Sequence, residues 1–246
     1  MSALEEFWRR ALVTTPMPDA FVLLVIAGVA LALVVFAWPL VRMAVTVCHE
    51  AGHAVVATLT GRKLQGIRLH SDTSGVTVTK GKPTGPGVVL MLFAGYPAAS
   101  VAGLLAAYVA GAGYAIGLLW LLVALLALML LQIRNLVGAG VVLALGAALG
   151  LASWYAPVQW LVWLAFAVAW LLLLAGPRPV FELALNPRAT GSDAAQLARL
   201  TRVPGALWIA LWLIAIAAWL QPLHRVIALR RRGEVAPHDT TRLQIN

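Results

Sequence analysis

The chain has 246 residues, of which 62% are hydrophobic and 11% charged, with a mean hydropathy of +0.90. Soluble domains carry about 25% charged residues, so the solvent for most of this chain is a bilayer. The formal net charge of +9 lies in loops between apolar runs and in the C-terminal tail, where Lys and Arg set orientation and touch lipid headgroups; with no long solvated basic domain, it argues against a nucleic-acid partner.

Residues 1–19 form a polar N-terminal segment that does not read as a cleavable signal peptide, and the apolar run after them is expected to stay as an anchor. A crossing helix needs about 20 mostly apolar residues. Candidate runs lie at 20–38, 43–60, 87–111, 114–133, 136–154, 157–175 and 205–222. They predict an all-α polytopic membrane protein with about six or seven transmembrane helices. Residues 20–222 would form one membrane-embedded domain, and 223–246 a basic tail containing Arg230, Arg231 and Arg232. The single cysteine, Cys48, allows no intrachain disulfide.

Two polar stretches interrupt the apolar pattern. Residues 61–86 carry five bases among Gly, Ser and Pro. Within them Gly75-Val-Thr-Val-Thr79 alternates as a strand does, after the turn-forming Asp72-Thr-Ser, which predicts a small β-hairpin beside the membrane. The second stretch spans 176–204. With seven spans, twelve loop bases, including Arg62, Lys63, Arg68, Lys80 and Lys82, fall on the hairpin's side, against six on the other. The positive-inside rule then puts the hairpin side in the cytoplasm of a cell-membrane protein, with the basic tail on the far side, against the rule.

The second apolar run holds His49-Glu50-Ala-Gly-His53. Residues four apart share a helix face, so the two imidazoles can meet one metal ion, and zinc suits such ligands. Glu50, next to the first histidine, is placed to act as general base on a water. Ionisable groups inside a membrane segment are costly, and three within five positions point to function. Cys48, about 100° around the helix from His49, reads as a buried inert thiol.

Two histidines leave a zinc site one protein ligand short. His70, Asp72, Glu182 and Asp193 are the candidates. His70 and Asp72 read as solvated turn residues. Asp193 follows Ser192, a good helix N-cap, and its charge would also suit the helix dipole. The motif would lie about 10–17 Å below the hairpin-side surface, on the side where the 176–204 stretch begins, so that stretch can dip inward to the metal if it is buried in protein.

This pattern resembles the site-2 protease family of intramembrane zinc metalloproteases, which pairs HExxH in one transmembrane helix with a later Asn-Pro…Asp-Gly motif. His49-Glu50-Ala-Gly-His53 matches the first part. Asn186-Pro187…Asp193-Ala194 resembles the second, with different spacing and Ala194 in place of Gly. Ala94-Gly95-Tyr96-Pro97-Ala-Ala-Ser100 is similar to the family's Ala-Gly-Pro-x-x-Asn segment, with Tyr96 inserted and Ser for Asn; otherwise it reads as small-residue helix packing. The hairpin over 64–80 resembles the family's membrane-associated β-element, which is thought to hold substrate extended. The resemblance implies zinc held by His49, His53 and Asp193, Glu50 as the catalytic base, and a transmembrane protein as substrate. It covers about 43–100 and 180–205.

Two other readings compete. A catalytically silent relative serving as a membrane scaffold or binding protein would not need Glu50. A transporter would place polar residues on several facing helices, which the runs at 87–133 and 136–175 do not.

Overall fold

The computed structural model describes residues 2–186 and 189–218. Pro187, Arg188 and the basic tail at 223–246 lie outside the described residues. Each of the seven apolar runs contributes a helix, and the expected hairpin follows the motif helix.

A short amphipathic helix, α1 (Ala3–Ala11), opens the chain on a reciprocal cap between Ser2 and Glu5. The next two helices, α2 (Ala20–Phe36) and α3 (Trp38–Leu59), meet at a bend of 101°. Pro39 explains the break. It has no N–H to continue the ladder of α2, and its ring would strike the carbonyl four residues back, yet it suits the first turn of a new helix. Arg178 seals the corner: its guanidinium donates to the Val34 carbonyl and lies 4.3 Å from the Trp38 ring centre.

The hairpin consists of β1 (Lys63–Leu69) and β2 (Gly75–Lys80), paired antiparallel. It folds back along α3. At the tip, the Thr46 hydroxyl of α3 donates to the Thr73 carbonyl at 2.7 Å. At the base, the Arg62 N–H donates to the Ala57 carbonyl at 2.9 Å. These anchors are 11 helical residues apart on α3, so the hairpin covers about 17 Å of it. The outer side of β1 is taken by residues 132–134: Ile67 N–H donates to the Gln132 carbonyl at 2.8 Å, and Arg134 N–H to the Ile67 carbonyl at 2.9 Å. Asn135 then brackets Leu69, its Nδ2 donating to the Leu69 carbonyl and its Oδ1 accepting from the Leu69 N–H.

Four further apolar helices follow: α4 (Pro86–Gly111), α5 (Ala115–Leu130), α6 (Leu136–Tyr155) and α7 (Val158–Ala175). Three short ones close the described chain: α8 (Arg178–Leu185), α9 (Asp193–Thr201) and α10 (Gly205–Ala218). By length and composition α4, α6 and the continuous Val158–Leu185 run of α7 and α8 can each cross a membrane, and the bent α2–α3 pair can supply a fourth crossing. The sequence pattern suggested six or seven. Among the described residues the difference lies in α5, which is apolar but shorter, in α10, which is described only over Gly205–Ala218, and in the corner at Ala37. Large apolar side chains such as Phe21, Phe36, Leu136 and Trp160 face outward, as lipid contact requires.

Small residues set how closely α3, α4 and α7 approach. A Cβ on Gly52 would lie 2.6 Å from the Ala98 Cβ and 2.8 Å from the Ala94 carbonyl oxygen; one on Gly103 would lie 2.7 Å from the Leu173 nitrogen. This close α3–α4 contact positions the site.

Candidate metal centre

His49 and His53 lie one turn apart on α3, their rings edge to face with centres 4.5 Å apart. Facing them from a segment 140 residues further along is Asp193, the first residue of α9. The Ser192 hydroxyl caps that helix by accepting from the Ala195 N–H at 3.2 Å. Capping and convergence on the histidines are thus compatible, because Ser192 serves the helix and leaves the Asp193 carboxylate for the histidines. Asp193 Oδ2 lies 3.1 Å from His49 Nε2 and 3.3 Å from His53 Nε2, and the two Nε2 atoms are 3.0 Å apart.

Those separations fit a metal ion. Donors arranged tetrahedrally on bonds of 2.0–2.1 Å stand about 3.3 Å from one another. The proton positions agree. His53 Nδ1 lies 2.7 Å from the Met91 carbonyl oxygen, an atom that can only accept, so Nδ1 carries a proton and Nε2 is the nitrogen that a neutral ring would offer to a metal. Asp193 Oδ2 is buried and, although within ion-pair distance of both rings, accepts no hydrogen bond. Lone pairs brought together this closely in a dry setting repel unless a cation lies among them. The donor set suits zinc.

The surroundings hold the rings in place. Gly95 of α4 presses on both: a Cβ there would lie 2.5 Å from His53 Cε1 and 2.6 Å from His49 Cε1. Tyr96 sets its ring edge to face with His49 at 4.9 Å, and Trp212 of α10 backs Tyr96 at 4.5 Å. Trp212 has a second task. Pro97 deprives the Phe93 carbonyl of its helical donor, and Trp212 Nε1 replaces it at 2.9 Å.

Glu50 is 3% exposed and held by the hairpin. The Thr77 hydroxyl lies 2.6 Å from its Oε2, and Gly75 packs so close that a Cβ would stand 2.6 Å from Oε1.

The other candidates lie elsewhere. Glu182 pairs with Arg178 at 3.4 Å and Arg42 at 3.9 Å. Asp72 and His70 sit in the hairpin turn, where Ser74 bonds both; its hydroxyl and N–H hold the Asp72 carboxyl below the usual range. Cys48 is half-buried against the α3–α7 contact and reaches no metal-ligand cluster among the described residues. Sequence reasoning missed Met91 and Thr77, and it gave Tyr96 no role. Met91 acts through its backbone, which leaves no side-chain signal. Thr77 was legible only as part of an alternating strand. Tyr96 stood out as an insertion in the Ala94–Ser100 segment.

A family model for M50B-like peptidases matches residues 21–221. The chain belongs to that family. The match runs from α2 through α10, so it takes in the HEAGH helix, the hairpin and Asp193 together. Family membership supports a site-2 protease-like metalloprotease embedded in the membrane, of a family that typically depends on zinc. Comparisons with curated proteins and with solved structures give no match.

Proposed function

We propose that this protein is an intramembrane zinc metalloprotease that hydrolyses a peptide bond within or near a transmembrane segment of another membrane protein. The observation that carries the reading is the convergence of His49, His53 and Asp193, from segments far apart in sequence, to tetrahedral-edge separations beside Glu50. His49, His53 and Asp193 would hold the zinc, which when bound supplies Lewis acidity toward water and the scissile carbonyl.

The chain's own groups do the rest. The Met91 carbonyl keeps the proton on His53 Nδ1 and the ring in its ligating tautomer. Glu50, aimed by Thr77, takes a proton from the attacking water as oxygen bonds to the carbonyl carbon. It then returns that proton to the departing amine as the C–N bond breaks. The excess of bases around the hairpin supports a cytoplasm-facing site, which labelling of a Lys82→Cys variant from either side of the membrane would test.

The test of the activity is direct. Zinc-loaded protein in detergent should cut a helical transmembrane substrate, and Glu50→Gln should slow cutting by about a hundredfold to ten-thousandfold with zinc content unchanged. Equal behaviour of the two proteins, or no cutting by either, would leave a metal-binding scaffold instead.

A further inference from the structure

The outer side of β1 is occupied by residues 132–134, whereas the outer side of β2 pairs with no strand among the described residues. That open edge borders a cleft of about 510 Å³ between residues 77–79 of β2, the N-terminal turns of α4, and α9. Thr77 and Met91 both line it. The first touches Glu50 and the second His53, so a chain lying in the cleft is one residue away from both the base and the metal centre.

The walls also carry two cations. Half-buried Arg62 is fixed by the Thr79 hydroxyl at 3.2 Å and the Lys82 carbonyl at 2.7 Å. Arg199 donates to the Thr190 carbonyl at 3.1 Å. Among the described residues neither forms an ion pair and no acid lines the cleft. A guanidinium already held in place loses less freedom when it takes a carboxylate.

An open strand edge recognises extended backbone without regard to sequence. Two fixed, unpaired guanidiniums add selectivity for negative charge. We infer that the cleft selects substrates whose extended juxtamembrane segment carries an acidic side chain, received by Arg62 and Arg199. This rests on the protease reading above. A lipid headgroup could meet the charges but not the strand edge beside Glu50, so a peptide fits the whole cleft better.

The probe is a labelled peptide with an apolar helix followed by an extended Thr/Val segment bearing one Glu, Gln or Lys. It is titrated into zinc-loaded Glu50→Gln protein in neutral detergent. The Glu peptide should bind about tenfold more tightly than the Gln peptide, the worth of one charge-assisted hydrogen bond. Arg62→Gln and Arg199→Gln should each reduce that preference while leaving the Gln peptide's affinity unchanged. Arg199→Glu should shift the preference to the Lys peptide, and Arg62→Lys guards against a misfolded hairpin by keeping the charge. Equal binding of all three peptides overturns the inference, as does a preference that survives both substitutions. Loss of the preference in phosphatidylglycerol nanodiscs but not in phosphatidylcholine ones overturns it in favour of a headgroup. Wild-type protein separates the two claims: cutting with no acid preference defeats the docking alone, and acid preference with no cutting defeats proteolysis alone.

Discussion

Replacing Gly95 with Ala adds one methyl group where α4 presses on both histidines. The new carbon would stand 2.5 Å from His53 Cε1 and 2.6 Å from both His49 Cε1 and His53 Nε2. Carbon atoms rest about 3.5 Å apart, so something must move by about 1 Å. The backbone of α4 has little room to give, because Gly52 and Gly103 already hold it against α3 and α7. The rings must then shift, and a zinc site tolerates only about 0.2 Å of displacement in its ligands. We expect zinc affinity to fall about 10–100-fold or more, with an overpacking cost of about 1–3 kcal/mol in stability. The assay is zinc retained after dialysis against a graded chelator series, with thermal unfolding of the apo-protein measured in parallel. Gly140→Ala in α6 is the control, since nothing lies within 4 Å of its added carbon. If Gly95→Ala keeps zinc as tightly as wild type, the rings are not fixed by this contact and the proposed ligand geometry fails.

The third ligand can be tested by comparison: Asp193→Ala should cost at least about tenfold in zinc affinity, while Glu182→Ala, which breaks only the Arg42 and Arg178 pairs, should leave metal content unchanged. Thr77→Val should lower kcat about 10–100-fold, because an orienting bond to a charged group is worth about 1.5–3 kcal/mol; zinc content and KM should hold, and Thr77→Ser should restore the rate. Trp212→Phe should destabilise the fold by about 1–3 kcal/mol, since it strands the Phe93 carbonyl. Adding Pro97→Ala should recover part of that loss by returning a helical N–H, so additive effects of the two substitutions in a thermal-unfolding cycle would contradict the pairing.

What the sequence made legible and what it hid follow from the range of the interactions. His49 and His53 share a face by helical period alone, and each of the seven apolar runs contributes a helix because about 20 apolar residues leave few other ways to satisfy a backbone in lipid. The alternation at 75–79 likewise sufficed for a strand. The corner at Ala37 was marked by Pro39, but a proline states only that a helix cannot run straight on, not that the chain turns by 101°. The span count therefore needed tertiary structure. Asp193 could be ranked among the candidates but not placed by residue chemistry, because its helix-capping signature says nothing of what its carboxylate faces; its closeness to the two Nε2 atoms appears only in the fold.

The Phe93 carbonyl shows the same limit in reverse. Pro97 announces that a carbonyl one turn back has lost its donor, and in lipid that debt must be met by protein. The donor is Trp212, 119 residues away, whose ring also backs Tyr96 against His49. One proline in α4 thus requires a partner on α10, and that partner stiffens the wall of the candidate metal centre. A break in a membrane helix is costly to keep, and here its repair places an aromatic stack against the His49 ring. That coupling predicts that substitutions at Trp212 will disturb zinc binding as well as stability, through the Tyr96 ring that it backs.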